Sequence, residues 1–303
     1  MFKENNSISE LIKLFKNRNV SLYHACQLKD FKTYLNLNGV PSRSLMETKN
    51  YDFTRFETDK FDQQNGNWDK IFGNLSDFSN FFHSGSNSVP NPYGPILIKM
   101  NFDGIMNSKD IAICLRSAGA SGFDRKNESL CSIEEVNRIF KFPKSTVGKN
   151  FFIRSKEELK ENFSDKKNII VEGSPEISIT KYNQIIELNY FIEIIVDPIN
   201  IEGLNLLEIV QEIASSYEIN NEIIKIRNKV NNNYTELIKS INYGVKSLDD
   251  IEKGNYLEEL KKWAKVVRNN RLGYMFERFS EYLYAGTIEE MTSLKKINLS
   301  KSV

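Results

Sequence analysis

The chain has 303 residues, with 41 basic and 40 acidic side chains and a formal net charge of +1. That balance excludes a polybasic or polyacidic chain whose composition alone would demand a nucleic acid or a membrane, and the length allows one large domain or two ordinary ones with a real core. The three cysteines, Cys26, Cys114 and Cys131, form no CxxC pair, which argues against a disulfide scaffold and for a reducing compartment, with the thiols as small buried hydrophobes.

The N-terminus does not read as a signal peptide. Ser7-Ile8-Ser9-Glu10 has the pattern of a capping box, followed by a helical face of Ile8, Leu11, Ile12 and Phe15, with Lys13, Lys16 and Arg18 interrupting any apolar run. No stretch has the apolar length of a membrane span, and the expected location is cytoplasmic, with no membrane partner.

Val20, Leu22 and His24 fall on one face of a predicted strand and Tyr23 on the other. A helix follows from near Lys29 and ends at Gly39. The turn Val40-Pro41-Ser42-Arg43 then places Arg43 just beyond it, where a guanidinium can clamp phosphates through paired hydrogen bonds. Arg55, Asp59, Asp62 and Asp69 come next; such a run is usually a solvated charged face. "KIFGNLSDF", "PILIKMNF" and "FIEIIV" read as strands. Between the first two lies "HSGSNSVPNPYGP", a loop too long for a tight turn and rich enough in polar groups to bind a ligand.

"PEISITKYNQIIELNYFIEIIVDP" opens on Glu176. Ile177 and Ile179 point one way, while Glu176, Ser178 and Thr180 point the other. The carboxylate is therefore either a catalytic group at a strand edge or a solvated charge on a polar face. After Pro198 the texture becomes helical. Leu206, Ile209, Val210, Ile213 and Tyr217 mark one amphipathic helix. Ile219, Ile223, Ile226, Val230, Tyr234, Leu237 and Ile241 make an a/d-like seam on a second, and "YLEELKKWAKVVRNN" and "MFERFSEYLYAG" mark more. The expected organisation is a first domain at 1–198 and a helical bundle at 199–303.

Histidine is rare: only His24 and His83 occur. With no second histidine or cysteine at ligand spacing, His24 cannot form a metal site, and a lone histidine at a strand end is most often a satisfied structural group. Three function classes fit the residues. One is an enzyme in which His24, Arg43 and Glu176 converge. A second is a metal-dependent nuclease, but "PEIS" places Ser178 where the acid-x-Lys triplet needs lysine, and Lys181 falls on the other face. The third is a non-enzymatic binding protein.

The order of these segments resembles the DarT-type ADP-ribosyltransferases. "LYHACQLKDFKTYLNLNGVPSRSLME" is similar to their opening of Tyr-His strand, helix, Gly and Ser-Arg turn. Asp59 and Asp62 fit the next segment, "YGPILIKMNFDGIM" the strand before a substrate-facing loop, "AICLRSAGASGF" the segment after it, and "GSPEISITKYNQIIELNYFIEIIV" the closing hairpin. The resemblance covers residues 20 to 198. Ala25-Cys26 after the histidine, Lys60 where some members carry arginine, and the long loop depart from the pattern.

The resemblance implies an α+β fold, with a split mixed β-sheet and flanking helices; the helical bundle expected at 199–303 from the sequence pattern lies outside the resemblance. It implies NAD as substrate, no metal, and transfer of ADP-ribose to a base of single-stranded DNA in a toxin-like or phage-defence role, with an antitoxin as a further partner. Glu176 and Arg43 would be catalytic, and His24, Ser42, Arg43, Asp62 and Tyr93 would hold NAD. Asn87, Asn91, Arg116 and Arg125, with Lys99 and Lys126, would meet the nucleic acid.

Overall fold

The computed structural model describes residues 1–56, 59–77, 91, 93–115, 117–118, 122–143, 148, 152–153, 156–166, 175–201, 203–228, 286–291 and 293–294. The fold is mixed α and β, with a large mixed sheet and several helices, as an α+β chain requires. Two compact units are present, one of Met1–His24, Tyr34–Phe82 and Lys99–Ile192, the other of Ala25–Thr33, His83–Ile98 and Glu193–Val303.

The first unit begins with helix α1 (Asn5–Asn17), which buries Ile8, Leu11, Ile12, Leu14 and Phe15. Each such side chain removed from water contributes up to about 1.5–3 kcal/mol. Phe15 meets Phe102 with ring centroids 4.6 Å apart. The expected capping box is not formed. The helix starts three residues earlier, after Glu4, with no side-chain cap, and the Ser7 hydroxyl donates to the Glu4 carbonyl from inside the first turn.

The strands of this unit are β1 (Leu22–Cys26, its first three residues), β3 (Ile71–Asn74), β7 (Glu176–Lys181), β5 (Ser108–Cys114) and β6 (Ser129–Leu130), side by side in that order. β7 runs antiparallel to both neighbours. Glu176 lies opposite Asn74 on one side and Cys114 on the other. A strand paired on both edges has no edge to offer solvent. Here both faces are covered too, since Ile177, Ile179 and Ser178 are fully buried and Thr180 is 4% exposed. The polar row of β7 is therefore interior, and only its first residue, Glu176, is partly open.

A two-stranded sheet, β2 (Gly39–Pro41) with β8 (Ile185–Glu187), sets the approach to Arg43. Helix α2 (Leu28–Asn36) starts where the sequence predicts, but Gly39 does not end it. Asn38 takes the left-handed conformation, at φ 59°, and Gly39 enters β2. Gly39 has φ 156°, and a Cβ on it would lie 2.2 Å from the Ile186 carbonyl oxygen. Gly39→Ala should therefore lower the unfolding free energy by about 1–3 kcal/mol, measured by urea denaturation, because the backbone of β8 has to move.

In the second unit β9 (Phe191–Val196) lies between β12 (Ile224–Ile226) and β4 (Ile96–Met100), with β12 parallel to it. Helix α8 (Leu206–Ser215) follows the short hairpin of β10 (Asn200–Ile201) and β11 (Leu204–Asn205), and buries Leu206, Ile209, Val210 and Ala214. This is the amphipathic helix expected there. Residues 219–228 correct the next expectation. Instead of opening a long helix, they form a 3-10 turn at Asn221–Ile223 and then β12. The β-branched Ile224 and Ile226 pair along β9, and sheet pairing overrides the four-and-three spacing.

The remainder of that seam and both later helical segments lie outside the described residues. Residues 286–291 are helical, and Thr287 donates to Gln27 Oε1 at 2.8 Å while accepting from the Leu28 amide at 3.1 Å. The buried Arg227 Nε donates to Asp197 Oδ1 at 2.7 Å. Cys26 and Cys114 are buried free thiols as expected, whereas Cys131 is exposed. Among the described residues no helix is long and apolar enough to cross a membrane.

Candidate active site

Glu176 heads a strand because its successors alternate for pairing and Pro175 before it has no N–H to give the ladder, its carbonyl alone accepting from Leu75 N at 3.1 Å. Its Oε1 accepts from the Ala118 amide at 2.8 Å, and the Ser117 hydroxyl also bonds the carboxyl. Burial nonetheless dominates. Desolvation, opposed by those hydrogen bonds and assisted by the charge of Asp62, raises the Glu176 carboxyl to about 7, with Arg125 a further lowering influence.

Asp62 lies on the short helix α4 (Asp59–Gln64). It too is raised to about 7, first by burial, then by Asp59, against the pull of Arg43. Its Oδ1 is buried and has no hydrogen-bond partner among the described residues. The end of α4 is tied to the Glu176 loop, because Asn65 Nδ2 and Asn67 Nδ2 both donate to the Ala118 carbonyl, at 3.1 and 3.2 Å. Ala118 thus bonds Glu176 through its amide and the α4 segment through its carbonyl.

Arg43 opens α3 (Arg43–Thr48), with Ser42 as its N-cap. Nη1 donates to the Thr54 carbonyl at 2.8 Å, and the guanidinium lies 4.9 Å from the Phe53 ring centroid and 5.1 Å from that of Phe56. Flat aromatic faces fix the plane of the fork.

Ser42 itself is fully buried. Its hydroxyl accepts from Leu45 N at 3.2 Å and donates to Gln184 Oε1 at 2.6 Å, while its amide donates to the Gln184 carbonyl at 2.9 Å. A direct contact from this hydroxyl to NAD would require one of these bonds to break. Ser42 is an anchor that ties Arg43 to the β7–β8 turn, where Gln184 sits at φ 59°.

His24 is partly buried on β1. Nδ1 is 2.7 Å from the Phe72 carbonyl and Nε2 is 3.0 Å from the Tyr34 hydroxyl. A carbonyl only accepts, so Nδ1 carries the proton and Nε2 accepts from Tyr34. Desolvation lowers the imidazole to about 4, partly offset by the Phe72 bond and aided by Arg43, which keeps the ring neutral. A ribose contact from Nε2 then requires the Tyr34 hydroxyl to give way.

The structure therefore gathers four of the expected residues in one unit. Arg43 acts electrostatically on both His24 and Asp62, and Asp62 acts on Glu176. Ser42 and Arg125 belong to the same unit. Arg125 has its guanidinium engaged with Ser178 Oγ and Asp110 Oδ1 on neighbouring strands, with only 14% of its side chain exposed. It is a counter-charge beside Glu176, and a phosphate contact would require it to leave these partners.

Asn91 is buried in the second unit, and its side-chain oxygen accepts from the Tyr93 amide at 3.1 Å. In that position it shapes a turn. Tyr93 is half-buried there, and its carbonyl accepts from Gln27 Nε2. Asn87 and Arg116 lie outside the described residues. Lys99 is half-buried and Lys126 is on α5 (Arg125–Glu128). Among the described residues no group of three or more histidine, cysteine or acidic side chains is arranged to hold a metal ion.

No local pattern points in advance to Ala118, Tyr34 or Asn67. The only available signal was the pattern Asn65-Gly66-Asn67, which reads as a turn. Compared with known proteins, the chain matches no protein-family model and no curated protein.

Proposed function

We propose that this chain is an NAD-dependent mono-ADP-ribosyltransferase of the DarT type, built on a split-sheet transferase fold and modifying a base of single-stranded DNA in a toxin-like or defence role. The reading rests on one observation above others. A carboxylate at the head of a central strand, Glu176, shares a unit with an aromatic-braced arginine, Arg43, a neutral histidine, His24, and a second raised carboxyl, Asp62.

Breaking the bond from C1′ to nicotinamide develops positive charge on the ribose. Fixed negative charge from Glu176 stabilises that charge, while Arg43 takes phosphate or ribose oxygens and holds the substrate for attack. An acceptor base has to be unpaired to reach such a site. The segment at 83–95 and the residues after 228, read from the sequence as a polar loop and as helices, would serve strand recognition or an antitoxin.

A degenerate transferase that binds without turnover is the second reading. The full engagement of Ser42 and the commitment of His24 Nε2 to Tyr34 favour it. Mass spectrometry of short single-stranded oligonucleotides incubated with the protein and NAD separates the two. Gain of one ADP-ribose unit supports the transferase. An unchanged oligonucleotide with no nicotinamide released supports the binder.

A further inference from the structure

Asp62 is the group in this site that the chemistry above leaves unused. Its Oδ1 is withdrawn from water and bonded to nothing among the described residues. A buried acceptor left open in this way needs an explanation, because desolvating it costs free energy and no internal donor repays it. Its neighbourhood is held firmly. Asp62 receives the Asn67 amide on its carbonyl at 2.7 Å, and Asn65 and Asn67 grip the Ala118 carbonyl, whose residue holds Glu176 by its amide. Two carboxyls are thus presented from two elements joined through one residue, with Arg43 acting on Asp62 and Arg125 acting on Glu176.

We propose that Asp62 is the proton acceptor for the nucleophile, leaving Glu176 to stabilise the ribosyl cation. This rests on the transferase reading. In the step, an N–H nitrogen of the acceptor base gives its electron pair to C1′. The C1′–N bond to nicotinamide breaks, and its pair leaves with neutral nicotinamide. The proton of the acceptor nitrogen passes to the open oxygen of Asp62. No oxidant, reductant or further reactant is needed.

A division of labour of this kind suits the pair. Two carboxyls that oppose each other's ionisation give one group that is readily kept charged and one that readily takes up a proton. The raised proton affinity of Asp62 accords with that part. Asp59, one helical turn earlier, adds negative charge and bonds the Phe56 amide at 3.0 Å, so it cannot substitute without leaving that position.

The test compares wild type with Asp62→Asn, an isosteric change that removes the basic oxygen and keeps an acceptor. Both are given NAD and a single-stranded oligonucleotide that wild type modifies. Nicotinamide release and oligonucleotide modification are measured in the same tube. Their ratio reports how each activated ribose is partitioned between DNA and water.

Asp62→Asn should lower modification about 100-fold. It should lower the modified fraction of released nicotinamide at least about tenfold, since water is the less demanding acceptor. Asp62→Glu should restore part of the partition. If modification and release fall together with an unchanged ratio, Asp62 acts only on the ribosyl side and the assignment is wrong. If modification by Asp62→Asn equals wild type, the assignment is also wrong while the transferase reading stands. If wild type releases no nicotinamide with any acceptor, the transferase reading itself falls, and this assignment with it.

Discussion

Glu176→Gln should reduce ADP-ribose transfer by about 10²–10³-fold, measured as the initial rate of oligonucleotide modification at saturating NAD. The amide oxygen can still accept from Ala118 N–H, so the loop on Glu176 keeps its anchor. What is lost is the negative charge. NAD affinity, read by calorimetry, should change much less than the rate, because charge at the ribose matters most when the C1′ bond is breaking. A variant that transfers at the wild-type rate would remove Glu176 from the chemistry. An equal loss in NAD affinity would make it a binding residue only. The active form of Glu176 is ionised and its carboxyl sits at about 7, so transfer should climb as pH rises through 7.

The same two carboxyls should make the protein less stable in alkali. Both Asp62 and Glu176 are raised to about 7 in the fold, above ordinary carboxylates in an unfolded chain. The folded state therefore holds protons that the unfolded state has released. The resulting contribution to stability is fully present below about pH 4 and is lost as pH rises through 7.

The groups interact, so they titrate as a pair. Asp62→Asn combined with Glu176→Gln removes both titrations. At pH 8 this double variant should exceed wild type in unfolding free energy by on the order of 1–2 kcal/mol, after discounting for partial exposure. The gap should close towards pH 5. Urea denaturation across that range measures it, and a constant difference would mean that neither carboxyl is strained by burial.

Much of the scaffold was legible from local pattern. Ile177-Ser178-Ile179-Thr180 alternates and is β7, and the apolar runs around Ile98 and Ile194 are β4 and β9. Alternation alone could not reveal that β7 has neighbours on both edges, so the polar row looked like a choice between solvent and catalysis. The misreading at 219–228 has a related origin. Ile219, Ile223 and Ile226 satisfy a helical spacing, yet Ile224-Lys225-Ile226 also satisfies a strand, and the decisive partner, β9, lies some thirty residues earlier.

For the site, charged and aromatic side chains announced themselves by type. Arg43, Asp62, His24 and Glu176 were each nameable in advance. Their linkage was not, because it runs through main-chain groups that every residue type possesses. The partners of Arg125 were equally hidden, because Asp110 and Ser178 reach it only after β5 and β7 pair.

Ala118 carries a consequence for the inheritance of this site. It holds Glu176 and the α4 segment entirely through its backbone, while its methyl group packs into a small apolar cluster with Ala112, Cys114 and Phe123. What the fold requires at residue 118 is therefore small volume and an intact main chain, whereas Ser117, whose hydroxyl bonds the carboxyl, is held to its chemistry. A gene could respell residue 118 with another small residue and keep the carboxylate in place.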